Sequence, residues 1–132
     1  NIASALEFVN RIAKKKAIVF LISDFMDHNY EPVLRVAARK HDLIPIVVQD
    51  PREKQLPNMG RVWLRDSETG EDMMVNTDSP EFQSKYEQLM YSREMELERM
   101  FKVVRLQPIL LDTSQSIHEP LLQYFRLRSS RF

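Results

Sequence analysis

Two stretches, Ala17-Ile18-Val19-Phe20-Leu21-Ile22 and Leu43-Ile44-Pro45-Ile46-Val47-Val48, decide the fold. Each is a continuous apolar run rich in β-branched residues and without alternation, the pattern of a strand buried on both faces of a parallel sheet. Between them, Ser23-Asp24-Phe25-Met26-Asp27-His28-Asn29 reads as a loop at a strand's carboxyl end, and Tyr30 to Lys40 turns helical. Pro32 suits a first helical turn, and Val33, Val36 and Ala37 share one face while Arg35, Arg39 and Lys40 reach water. Strand, helix and strand over about thirty residues form a right-handed crossover unit of an open α/β sheet. Pro45 cannot donate to a ladder, so its nitrogen belongs on a flank without a partner, as near a strand start.

Outward from this unit, Ser4 and Glu7 have capping-box spacing, and Leu6, Val9, Ile12 and Ala13 follow as the apolar face of a short opening helix. Lys14, Lys15 and Lys16 then read as its solvated end. Downstream, Arg61–Arg65 and Asp72–Asn76 are strand-like around Asp66-Ser67-Glu68-Thr69-Gly70-Glu71, a β-hairpin inserted in the α/β unit, with Trp63 expected to cover local core. Ser79-Pro80-Glu81 starts a helix that runs to about Arg105. Its stripe is Phe82, Tyr86, Leu89, Leu97, Met100, Phe101 and Val104, widened by Met90, Tyr91 and Met95. Pro108-Ile109-Leu110-Leu111 is a third buried strand, and Leu121, Leu122 and Phe125 mark a closing helix that ends near Arg126 and Arg128.

Composition narrows the function. The chain has 132 residues, enough for one domain, and its 19 basic and 19 acidic side chains cancel. A neutral surface disfavours nucleic acid, whose binding rests on phosphate neutralisation. With 2 glycines, Gly60 and Gly70, there is no Gly-rich phosphate loop, and with 0 cysteines there is no disulfide, thiolate metal site or Cys nucleophile. No run approaches the roughly 18 apolar residues of a membrane span. The sequence opens on Asn1 rather than Met, so further chain is expected ahead of it.

Ligands of open parallel sheets gather at the strands' carboxyl ends, where Asp24, Asp50 and Asp112 stand. Asp112-Thr113-Ser114-Gln115-Ser116 matches Asp-x-Ser-x-Ser, a pattern whose oxygens suit Mg²⁺. The same residue types cap helices, and that reading is favoured. Asp24 and Asp27, with His28 beside them, are a candidate acid/base or metal pair. However, the haloacid dehalogenase spacing fails, because Met26 stands where the second Asp belongs. His41-Asp42 echoes the His-Asp phosphohydrolases without their other ligands, so His41 reads as a partly charged helix end. Asp50-Pro51-Arg52-Glu53 reads as a tight turn with an internal Arg-carboxylate pair.

Taken in order, Val19 to Phe25, Ala37 to Asp42, Asp50 to Glu53, Leu56 to Gly60, Asp66 to Gly70 and Leu121 to Arg128 resemble the carboxyl-terminal part of the bacterial domain of unknown function 58 family, over roughly residues 3 to 128. The resemblance implies a partial von Willebrand factor A-like (Rossmann-like) α/β fold. This is an open parallel sheet of about three strands with flanking helices and the inserted hairpin, in a single domain spanning residues 1–132. It also implies a role beside a MoxR-type AAA+ ATPase in protein assembly or envelope processes, in the cytoplasm or at the cytoplasmic face of the inner membrane. In such a fold Ser23-Asp24 resembles one motif of a metal-ion-dependent adhesion site whose other motifs would lie ahead of Asn1. Asp112, two strands away, is too far from Asp24 to share an ion.

The function expected is therefore a non-enzymatic protein-interaction module. Ser23, Asp50, Arg52 and Glu53 form its candidate interaction loops, and Asp24 serves as a metal ligand only in the longer protein. No cofactor is expected on this chain, and tight Mg²⁺ or Mn²⁺ binding in calorimetry would refute that. The alternative is a metal-dependent phosphohydrolase using Asp24 and Asp27. A homodimer is expected through the edge of strand Ala17–Ile22 or the Met-rich side of the long helix.

Overall fold

The structure, a computed structural model, describes residues 1–50, 59–66 and 69–129. Contacts gather the chain into two units: residues 1–49 with 96–132, and residues 50–95.

In the first unit, α1 (Ile2–Ile12) precedes β1 (Ile18–Ser23), α2 (Glu31–Lys40) and β2 (Asp42–Gln49). The end of α3 (Pro80–Val104), β5 (Ile109–Asp112) and α4 (His118–Ser129) complete it. The three strands form one parallel sheet in the order β1-β2-β5, with Ile18 opposite Asp42 and Ile46 opposite Ile109. This is the α/β sheet with flanking helices that the two apolar runs imply.

Strand alternation sorts β2 onto two cores. Leu43 and Val47 join Leu34 and Ala37 of α2, Ile2 and Leu6 of α1, and Met100, Phe101 and Val104 of α3. Ile44 and Ile46 join Ile109 and Leu111, with Leu121 and Tyr124 of α4 against them. The central strand is thus buried on both faces, as its run requires.

The backbone of Asp42 donates to the Ala17 carbonyl, which fixes the alternation of amides along both strands. Pro45's nitrogen accordingly faces the β5 flank, and β5 begins only opposite Ile46. Proline therefore costs this central strand no ladder bond.

The first strand departs from expectation. It is not buried on both faces: Val19 and Leu21 pack on the helical core, while Ile18, Phe20 and Ile22 remain 66%, 48% and 64% exposed. Among the described residues β1 lies at the edge of the sheet, and on its outer face Phe125 of α4 meets Phe20 edge-on at 6.4 Å.

Helix boundaries also differ in their chemistry. The Ser4-Glu7 capping box does not form: α1 starts at Ile2, and Asn1 Oδ1 accepts from the Ser4 N–H at 3.0 Å. Ile12 lies exposed rather than on the buried face. In α2 the buried residues are Leu34 and Ala37, while Val36 is exposed, because the core lies one step round the helix from the expected face. The long helix stops where Arg105 takes φ +59°, with the Leu106 N–H donating to the Phe101 carbonyl and the Arg105 N–H to the Lys102 carbonyl. That is a left-handed C-terminal cap made without glycine. Leu89 of the expected stripe is exposed, and only Met100, Phe101 and Val104 of this helix are buried. The Arg128 guanidinium pairs with Asp42, tying the last turn of α4 to the start of β2.

His41 ends α2 through its N–H to the Ala37 carbonyl, but its ring is buried. Nδ1 accepts from the Ala17 N–H at 3.1 Å. His41 thus ends the helix as expected, and its ring in addition accepts from the backbone at the entry into β1.

In the second unit, β3 (Arg61–Arg65) and β4 (Asp72–Asn76) pair antiparallel, with Trp63 opposite Met74. Thr77, fully buried, closes the hairpin. Its hydroxyl donates to the Gly60 carbonyl at 2.6 Å and accepts from the Met59 N–H at 3.0 Å, and Gln83 Nε2 donates to its carbonyl. Gly60 sits at φ +70°, open to glycine at little cost.

Candidate functional site

The carboxyl edge of the parallel sheet carries most of the residues singled out from sequence. At the end of β1 the loop is wired to itself. Ser23 Oγ accepts from the Phe25 N–H at 3.0 Å, and Asp24 Oδ1 accepts from the Met26 N–H at 3.0 Å. Phe25 is held at φ +58° and Asn29 at φ +60°, a left-handed region that a bulky side chain adopts only when its surroundings force it. The forcing contacts are the Phe101 ring, edge-on at 5.3 Å, and the Tyr30 ring at 6.0 Å, with the Tyr30 hydroxyl donating to the Phe25 carbonyl. Phe25 is buried beneath the loop, so Asp24 and Met26 on either side of it are turned to solvent.

Tyr30 gives this wiring a pH signature. Burial, followed by the negative charges of Asp27, Glu31, Asp24 and Glu96, pushes its phenol up to about 12. A folded-state value above the unfolded value of 10 means the stabilisation is complete below pH 10 and is lost as pH rises through about 12. Between those limits native stability falls at up to roughly 1.4 kcal/mol per pH unit. Tyr30→Phe is expected to flatten this alkaline limb in urea melts, at a neutral-pH cost of about 1 kcal/mol for the lost hydrogen bond.

Asp27 stands apart from Asp24 in its commitments. Its Oδ2 accepts from the Ile2 N–H at 2.8 Å and its Oδ1 from the His28 N–H at 2.9 Å. The bond from Ile2, then that from His28, holds its carboxyl below the usual carboxylate range. Asp27 thus anchors the N-terminus of α1, a role with no signal in its local sequence. To serve as acid or base beside Asp24 it would have to release that helix.

Asp112 is at the end of β5, with β2 between it and β1, and Gln49 opposite it. Its Oδ1 accepts from both the N–H and the hydroxyl of Ser114, at 2.9 and 2.7 Å, and Ser116 Oγ accepts from the His118 N–H at the start of α4. The Asp-x-Ser-x-Ser stretch works here as a turn and helix entry. Among the described residues no group of three metal-ligating side chains comes together. Asp24 offers Mg²⁺ a single carboxylate, with one oxygen already accepting a backbone bond, so the donors among the described residues do not by themselves make up a metal site. Asp50 follows Gln49 directly after β2; Arg52 and Glu53 lie outside the described residues.

The second unit holds a surface that the sequence reading assigned otherwise. Trp63 does not cover core: it is 67% exposed, with its cross-strand neighbour Met74 at 50%. On the hairpin's other face Leu64 and its neighbour Met73 are 44% and 61% exposed. The hairpin sheet has two strands among the described residues, and only the cross-strand pair Val62 and Val75 in it is half-buried.

Comparison with known proteins places these features in a family. The chain is 35% identical over 71 residues to the uncharacterized protein MAV169 of Mycobacterium avium, a match covering 53% of this chain and 42% of that protein. It is equally similar over 71 residues to the uncharacterized proteins Rv1480 of Mycobacterium tuberculosis and Mb1516 of Mycobacterium bovis, covering 22% of each. The chain thus spans less than half the length of these relatives. No solved structure matches it. Among the described residues no helix is long and apolar enough to cross a membrane. The model of the family described as Protein of unknown function DUF58 matches residues 1–96, nearly three quarters of the sequence and all of its motifs before the last strand, and the chain belongs to that family.

Proposed function

We propose that the chain is a non-enzymatic protein-interaction module, and that its partner is a MoxR-type AAA+ ATPase on the cytoplasmic side of the membrane. The observation that carries the reading is the exposed cross-strand pair Trp63 and Met74, with Leu64 and Met73 on the reverse face. Tryptophan and methionine are enriched at protein interfaces, where a large ring gains most from desolvation and a flexible thioether adapts to its partner. The ATPase enters through the von Willebrand factor A-like resemblance of the carboxyl-terminal motifs. The edge loop Ser23-Asp24, and Asp50, Arg52 and Glu53 after β2, supply polar contacts in this reading. Mg²⁺ would join Asp24 only with ligands from a longer protein.

The test is capture of a purified MoxR-type ATPase from the same genome by the full chain. Trp63→Ala is expected to weaken capture at least tenfold, about 1.4 kcal/mol, while the urea midpoint stays within error because the ring is exposed. Asp24→Lys is expected to weaken it several-fold through the loop charge. Undiminished capture by Trp63→Ala would overturn the reading. So would metal-dependent turnover of a phosphomonoester that is abolished by Asp24→Asn.

A further inference from the structure

Alternation sorts the hairpin's side chains onto two faces, and the two faces differ. On one, Val62 and its cross-strand partner Val75 are half-buried. The other carries Arg61, Trp63 and Arg65 of β3 opposite Asn76, Met74 and Asp72 of β4, and each of these is exposed.

The two arginines that bracket Trp63 are not equivalent. Arg65 Nε donates to Asp72 Oδ1 at 3.1 Å, so the turn end of the face is neutralised within the hairpin. Arg61 instead faces Asn76, a neutral amide whose Oδ1 accepts from the Asp78 N–H. The Asp78 carboxylate is engaged by the backbone next door, where its Oδ1 accepts from the Gly60 N–H at 3.3 Å. Among the described residues Arg61 has no ion-pair partner. Along β3 the face therefore runs from a free cation, through a ring with a thioether opposite, to a neutralised pair.

Charge selects the occupant. Asp66, Glu71, Asp72 and Asp78 surround the two arginines, a local excess of negative charge that repels a polyphosphate chain but leaves Arg61 able to take one carboxylate. A guanidinium suits a carboxylate because it offers two parallel N–H donors. Trp63 and Met74 offer an apolar side chain a ring and an adaptable thioether. Alternate residues of a strand stand roughly 7 Å apart, so a segment that meets Arg61 and Trp63 together carries its acid and its apolar side chain two residues apart in extended form.

Taking the Trp63 face as the interaction surface proposed above, we infer that it recognises an extended, singly acidic segment of the partner protein. A carboxylate side chain of that segment sits on Arg61, and an apolar side chain two residues away sits on Trp63 and Met74.

Trp63 is the chain's only tryptophan, so its emission reports this face directly. The probe is the synthetic peptide Ser-Glu-Ser-Leu-Ser-Leu-Ser, titrated into the full chain at low salt beside the same peptide with lysine in place of glutamate. The glutamate peptide is expected to shift the emission saturably to the blue, and the lysine peptide to bind roughly fivefold more weakly. Arg61→Glu is expected to reverse that order at an unchanged urea midpoint, Arg61→Lys to keep it, and added salt to shrink it. Equal binding of the two peptides, or a preference that survives Arg61→Glu, overturns the inference. So does an oligothymidine that shifts the emission at lower concentration than the glutamate peptide and loses its effect in Arg61→Glu, which would assign the face to phosphates. Capture of the ATPase separates this inference from the identity of the partner. Capture weakened by Trp63→Ala but untouched by Arg61→Glu overturns the acidic segment alone. Capture untouched by Trp63→Ala, with the peptide preference intact, supports the acidic segment and overturns the ATPase as its source.

Discussion

Leu34→Ala is expected to lower the unfolding free energy by about 2–5 kcal/mol, a large fraction of the 5–15 kcal/mol typical of a domain. Leu34 is fully buried on α2, in the cluster that joins Leu6 of α1, Val47 of β2 and Phe101 of α3. Removing its branched end loses both the transfer energy of the apolar atoms and the contacts around the resulting cavity. The neighbours come from three separate elements, so no single side chain can collapse into the space. The measurement is a urea melt, where the midpoint falls at unchanged slope, with the melting temperature down on the order of 10 °C. Val36→Ala, two residues on and 55% exposed, is expected to shift stability by less than about 0.5 kcal/mol. Equal effects at the two positions would mean that α2 presents a different face to the sheet.

Phe25→Ala is expected to cost about 3–5 kcal/mol. Here the ring fills the space against Phe101 and Tyr30 while its own backbone sits at φ +58°. Two terms therefore separate in a pair of variants. Alanine leaves the cavity and keeps the left-handed strain. Glycine leaves the same cavity and relieves a strain of roughly 1–2 kcal/mol, which offsets its larger loss of chain entropy of about 0.5–1 kcal/mol. Phe25→Gly is thus expected to be at least as stable as Phe25→Ala, the reverse of the usual order. If glycine is the less stable by about 1 kcal/mol, the backbone at Phe25 is not left-handed. Both variants are also expected to loosen the Ser23–Asp27 loop, read as faster hydrogen exchange at the Phe25 and Met26 amides, whose acceptors are Ser23 and Asp24.

The candidate surfaces were legible in the sequence to different degrees. Placement of Asp24 and Asp112 at one edge of a parallel sheet followed from their position after apolar runs, because parallel strands carry all their carboxyl ends to the same side. Asp27's service to α1 was not legible, since its partner Ile2 is 25 residues away and no local pattern encodes that contact. Thr77 gave no signal either; its importance comes from reaching the Gly60 carbonyl across the hairpin. Trp63 was misassigned for a related reason. Its type argues for burial, but burial needs a second layer over the same face, and Trp63 stands exposed on its face of the hairpin.

By itself the sequence determined the order and type of the elements: three parallel strands, their flanking helices and the hairpin. Local propensity, apolar runs and capping residues act within a few neighbours and need no knowledge of the rest of the chain. Only the tertiary structure decided which apolar runs are buried on both faces. Ile18–Ser23 and Asp42–Gln49 both carry continuous apolar runs, yet among the described residues one lies at the edge of the sheet and the other at its centre. Burial belongs to a strand's neighbours rather than to its own residues: among the described residues β2 has a strand on each flank and a helical layer on each face, while β1 pairs with β2 alone.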